Sequence, residues 1–226
     1  MLESSLRIGA IAGIRIGVHY TWFIVFLLLS SVLAAYFRET HPEWSGVAVV
    51  LTALVTTLMY FVSIVLHELG HSLVAIARGV QVRAITLFIF GGIAQTEKDA
   101  DTAATEFYIA IAGPLVSFLL AGLFYLLKLG FVSYSTIATE DFNWLATINL
   151  VLAVFNLIPG FPLDGGRVFR ALVWRFTGDA AKGMQWAVLG GKLVAYGLML
   201  IGALVGLQPG MLFNGIWLLG IGWVLF

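Results

Sequence analysis

Cysteine is absent from the 226 residues. That removes disulfides, thiolate nucleophiles and sulfur-ligated metal sites together, so a metal here would have to be held by His, Asp or Glu. Charge is scarce as well. Charged residues make up 11% of the chain, and acids balance bases, whereas soluble domains carry about 25%. With no excess of either sign, nothing argues for nucleic acid or for a strongly charged partner. What is abundant is apolar: 61% of the residues, with a mean hydropathy of +1.01. A water-facing surface cannot absorb that composition, so the solvent for most of the chain is expected to be lipid. The N-terminal stretch shows no small-residue cleavage pattern, and the first long apolar run reads as a retained span.

A bilayer crossing needs about 20 mostly apolar residues. Six stretches qualify or nearly so: Tyr20–Phe37, Gly46–Ala77, Phe107–Leu129, Phe142–Ile158, Gln185–Leu207 and Met211–Phe226. With alternating flanks, one side collects Arg7, Arg15, Arg78, Arg83, Lys98, Arg167, Arg170, Arg175 and Lys182. The other holds Arg38 and Lys128. The positive-inside rule then puts both termini in the cytoplasm. Trp44, Trp144 and Trp186 near span ends read as interfacial anchors. Val80–Thr96 alternates, is rich in β-branched and aromatic residues and is broken at Gly91-Gly92, which reads as a β-hairpin. Strands cannot lie bare in lipid, so this segment is expected at the membrane edge, packed on helices or facing a protein-lined cavity. The expected fold is an all-α polytopic membrane protein, a single domain over residues 1–226. It has six transmembrane helices and a small membrane-associated β-hairpin between the second and third.

The second span contains His67-Glu68-Leu69-Gly70-His71. Residues four apart share a helix face, so both imidazoles can reach one Zn2+ with Glu68 beside the open position. The apolar run on either side makes these ionisable groups costly unless they face a wet or metal-filled interior. A chance match with packing roles is the bland alternative. A catalytic zinc usually takes three protein ligands. His19, at the start of the first span, and His41, in a loop on the opposite side, are poor third ligands. Asp164 is better placed, in Asn156-Leu157-Ile158-Pro159-Gly160-Phe161-Pro162-Leu163-Asp164-Gly165-Gly166. The prolines and glycines there must break the fourth helix near the membrane, which is tolerated only inside protein or around a cavity. The competing role for Asp164 is a turn residue. Both motifs fall near the cytoplasmic ends of their spans.

HELGH in one span and NLIPGFPLDGG after a later one together resemble the site-2 protease family of intramembrane metalloproteases. Phe90-Gly91-Gly92 resembles that family's β-hairpin, and Ala112-Gly113-Pro114-Leu115-Val116-Ser117 its third-span glycine motif. IRIGVHYTW and His41-Pro42-Glu43-Trp44 are similar to the branch that carries cytosolic CBS domains. The resemblance implies one zinc per chain held by His67, His71 and Asp164, with Glu68 as general base and acid. It also implies Asn156 holding substrate or the oxyanion, and substrate contacts at Phe90, Gly91 and Gly92. It implies single-span membrane proteins as substrates, in the plasma membrane of a prokaryote, with the site toward the cytoplasm. A homodimer is left open. A CBS-type regulatory domain is expected either beyond these residues or lacking in this member. Gly113-Pro114 reads as packing at the start of the third span. The rivals are a membrane metal transporter, which would need further intramembrane ligands along a path, and a non-catalytic zinc-binding scaffold, which would most simply have lost Glu68. Hydropathy excludes a soluble zinc protease, and the lack of a G-x-S-G motif excludes a rhomboid-type serine protease.

Overall fold

The structure is a computed structural model and describes residues 5–89, 91–96 and 98–226. Its elements in chain order are β1 (Ser5–Ile11), β2 (Ile14–His19), α1 (Thr21–Thr40), α2 (Gly46–Ala77), β3 (Val82–Phe88), β4 (Gly91–Thr96), α3 (Ala103–Phe131), α4 (Thr136–Asn156), α5 (Asp164–Thr177), α6 (Ala180–Gly206) and α7 (Leu212–Leu225). They form two compact units. The first takes the chain through Asp99 together with Ala112–Ala153. The second takes Ala100–Ile111 together with Val154–Phe226.

Four helices, α1, α2, α3 and α6, are long and apolar enough to cross a membrane. Helices α4 and α7 stand at the positions of the expected fourth and sixth spans. Helix α4 carries Glu140, Asp141, Asn143 and Asn149, which lower its hydropathy, and α7 has 14 residues. The break expected of the prolines and glycines after the fourth helix is present, since α4 ends at Asn156, but helix α5 just beyond it is not anticipated by the sequence. Leu163 is extended, its carbonyl accepts from the Gly166 and Arg167 N–H groups, and the helix starts at Asp164.

In the first unit the four strands make one sheet in the order β1-β2-β3-β4. β1 and β2 form an antiparallel hairpin closed by Ala12-Gly13, both with positive φ (51° and 82°). Paired positive φ values are what a two-residue hairpin turn needs. β2 then pairs parallel with β3. A parallel pair needs a long crossover, here supplied by α1 and α2. β3 and β4 are antiparallel, as expected of Val80–Thr96, but Gly91-Gly92 opens β4 rather than forming the turn. The sheet seats Val18 and Leu87 against Phe61 and Ile64 of α2, with Trp22 and Phe26 of α1 alongside. α4 packs on α2 through two polar contacts as well as apolar ones: Asp141 accepts from the Thr56 hydroxyl, and Asn149 Nδ2 donates to Ser63 Oγ at 3.3 Å. Trp44, read as an interfacial anchor, is instead buried against Leu33 and Phe37 and stacks on His41.

In the second unit α6 and α7 meet through glycines. A Cβ on Gly215 would lie 2.4 Å from Gly206 Cα, the close backbone approach that small residues permit between apolar helices. Glu106, in the first turn of α3, is 3% exposed and accepts from Arg167 Nε at 3.1 Å, with Arg170 Nη1 at 3.7 Å. A buried carboxylate requires such pairing.

Candidate metal centre

Helix α2 runs for 32 residues, starting after Ser45, whose hydroxyl accepts from the Ala48 N–H. Its core-facing side changes character along its length. Thr52, Ala53, Thr56 and Phe61 give way to His67 and His71, which are 4% and 6% exposed. One helical turn apart, the imidazoles bring their Nε2 atoms to 3.2 Å, with the rings inclined at 76°. On the far side of His67, Nδ1 lies 2.8 Å from the hydroxyl of Ser117, which is fully buried in α3.

Helix α3 comes unusually close at this point. A Cβ on Gly113 would stand 2.1 Å from His71 Nε2 and 2.6 Å from His67 Nε2. The approach is reciprocal, because a Cβ on Gly70, inside HELGH, would meet Val116 Cγ2 at 2.7 Å and the Ala112 carbonyl oxygen at 3.1 Å. The two glycines let the helices touch where the imidazoles emerge. Gly113 was assigned to packing on sequence, and Ser117 received no role of its own. The signal available was spacing: Gly113 and Ser117 are four apart, the same interval as His67 and His71.

Glu68 follows on the next face of α2 and is half-buried. β4 lies over it, so closely that a Cβ on Gly92 would be 2.6 Å from Glu68 Cγ. Gly91 holds φ 122°, a backbone state open to glycine. Of the expected substrate contacts, Phe90 lies outside the described residues, while Gly91 and Gly92 begin β4, which is an edge strand of the sheet.

Asn156 and Asp164 belong to the second unit. Asn156 is the last residue of α4, and Asp164 the first of α5, where a helix N-terminus favours a carboxylate. Both are half-buried. The segment between them is pinned to α6. Phe161 N–H donates to the Ala187 carbonyl at 3.0 Å, and Gly160 approaches so closely that a Cβ on it would be 2.5 Å from Gly191 Cα. Gly165 and Gly166 face the backbone of Leu157 and Gly160, with no room for a Cβ. The Pro- and Gly-rich motif is therefore a tightly folded corner, not a slack loop.

A buried imidazole pair on a helix long and apolar enough to cross a membrane is a pair of nitrogen donors that could hold a metal ion. Comparison with known proteins makes this specific. The profile of peptidase family M50 matches residues 55–137 and 130–196, and the chain belongs to that family. A protein of Synechocystis sp. named as a zinc metalloprotease is 38% identical over 99% of this chain and 58% of its own length. The Mycobacterium tuberculosis protein Rip3, named likewise, is 36% identical over 100% of this chain and 58% of its own. The chain thus spans little more than half the length of these relatives. The solved site-2 protease of Methanocaldococcus jannaschii superposes with a TM-score of 0.64 at 32% identity, covering 98% of this chain and 91% of that one. Together with the four long apolar helices, family membership makes this an integral membrane protein.

Proposed function

We propose that the chain is an intramembrane zinc endopeptidase that hydrolyses peptide bonds in or near the transmembrane segments of other membrane proteins. The observation that carries this reading is the pair of buried Nε2 atoms 3.2 Å apart on a spanning helix. Two nitrogens bound to one tetrahedral zinc at about 2.0–2.1 Å stand about 3.3 Å from each other, so the pair needs almost no adjustment to share an ion. Asp164 is the third ligand. Two imidazoles and a carboxylate are a donor set suited to zinc, and the relatives named as zinc metalloproteases agree with that choice.

Bound there, one zinc per chain supplies a Lewis acid and a water of lowered pKa. Glu68 would serve as general base and then general acid, taking a proton from the attacking water and delivering it to the leaving amine. The Asn156 amide donates to the oxygen on which charge develops. The site lies toward the cytoplasm of a prokaryotic plasma membrane, with both chain termini on that side. A regulatory domain beyond these residues would sit there too. The substrates are single-span proteins, and a second copy of the chain is compatible with this arrangement.

The test is cleavage of a single-span substrate by detergent-purified protein, with and without a zinc chelator. Chelation should abolish cleavage and added zinc restore it. Cleavage that survives in protein verified as zinc-free would overturn the proposal.

A helical substrate hides its carbonyls in its own hydrogen bonds and must be extended before attack. β4 is the last strand of the described sheet and lies over Glu68, so an unwound segment can add to it as a strand, with Gly91 and Gly92 allowing close approach. Proline removes a ladder donor, and neighbouring residues point their N–H groups to opposite edges. Ile93→Pro and Ala94→Pro are therefore both expected to abolish cleavage while zinc stays bound. Unchanged cleavage in both would remove this mode of substrate binding.

A further inference from the structure

We propose that Ser117 is a positioning residue: its hydroxyl fixes the tautomer and ring plane of His67 so that the Nε2 lone pair is presented to the metal. This rests on the metal site proposed above.

A neutral imidazole has one N–H and one lone pair. If Nε2 is to ligate, the proton must sit on Nδ1 and needs an acceptor. Ser117 Oγ, 2.8 Å from Nδ1, is placed to be that acceptor. Both partners are buried, His67 at 4% and Ser117 at 0% exposed, so water cannot stand in when the hydroxyl is lost. The ring is held from two directions by one face of α3. Gly113 leaves room beside Nε2, and Ser117, one turn on, engages Nδ1. α3 is thus the second wall of the metal site, matching its four-residue interval to that of the histidines on α2. An outer partner of a ligating histidine typically governs metal affinity by about 10–100-fold.

The contrast is with Ser63, an equally buried serine on α2 whose hydroxyl meets Asn149 rather than an imidazole. The measurement is zinc affinity by chelator competition on the purified full-length protein. Ser117→Ala should weaken zinc binding by about 10–100-fold. Ser117→Thr, which keeps the oxygen, should recover most of it, and Ser63→Ala should leave it within about twofold of wild type. Wild-type affinity in Ser117→Ala, or an equal loss in Ser63→Ala, would overturn the proposal. If the Ser117 variants do not fold, nitrogen chemical shifts of labelled His67 in the zinc-free wild-type protein decide. The Nδ1–H tautomer is expected, and an Nε2–H tautomer sinks the idea. A wild-type protein that binds no zinc would instead defeat the metal site itself, so the two failures are distinguishable.

Discussion

Glu68→Gln is expected to lower cleavage by about 10²–10⁴-fold while zinc content stays at the wild-type level. The substitution keeps the shape of the side chain and so preserves the packing beneath Gly92. It exchanges a carboxylate that can take and return a proton for an amide that can do neither. Neither imidazole is touched, so the 3.2 Å pair keeps its geometry. The retained metal is what separates loss of chemistry from loss of structure. The same variant separates classes of function, because a metal transporter using this cluster would keep most of its transport. Measuring bound zinc and initial cleavage rate on one preparation checks both halves. Full cleavage by a zinc-loaded Glu68→Gln protein would remove Glu68 from the proton transfer.

Much of this was legible in the sequence where the signal is local. Hydropathy alone placed α1 and α2 almost residue for residue, because lipid imposes a length and a composition on each crossing. The His67–His71 relation was equally accessible, since helical spacing puts residues four apart on one face. What escaped was non-local. The LRIGAI and IRIGVH segments flanking Ala12-Gly13 carry a hairpin pattern. The sequence reading assigns them no strands, and the parallel pairing of IRIGVH with Val82–Phe88 spans two intervening helices. Helix α5 escaped for the opposite reason. Pro162, Gly165 and Gly166 signal a break in isolation, but the glycines serve close backbone packing within the first turn rather than ending a helix. Ser117 escaped because its motif and its four-residue interval from Gly113 do not say which residue its hydroxyl meets. Its role exists only once α3 is laid against α2.

That contact makes the last prediction the most severe. In an open helix, Gly→Ala stabilises by about 1 kcal/mol. Gly122 and Gly130, also in α3, have no atom within 4 Å of an added Cβ, so alanine there should leave zinc binding and cleavage unchanged and the fold slightly more stable. Gly113 is on the same helix with the opposite surroundings. Its added methyl would stand 2.1 Å from His71 Nε2, 2.5 Å from His71 Cε1 and 2.6 Å from His67 Nε2. The conflict cannot be relieved by parting the helices without losing the Gly70 contacts with Val116 and Ala112. The rings must therefore move, and they are the atoms whose placement matters. A displacement of about 1 Å at a reacting centre costs about 10²-fold. Gly113→Ala is expected to lose zinc and to cut at most about one hundredth as fast as wild type. Zinc content and cleavage rate measured beside Gly122→Ala would check this. Wild-type zinc binding in Gly113→Ala would show that the imidazoles tolerate a neighbour where the backbone of α3 leaves them none.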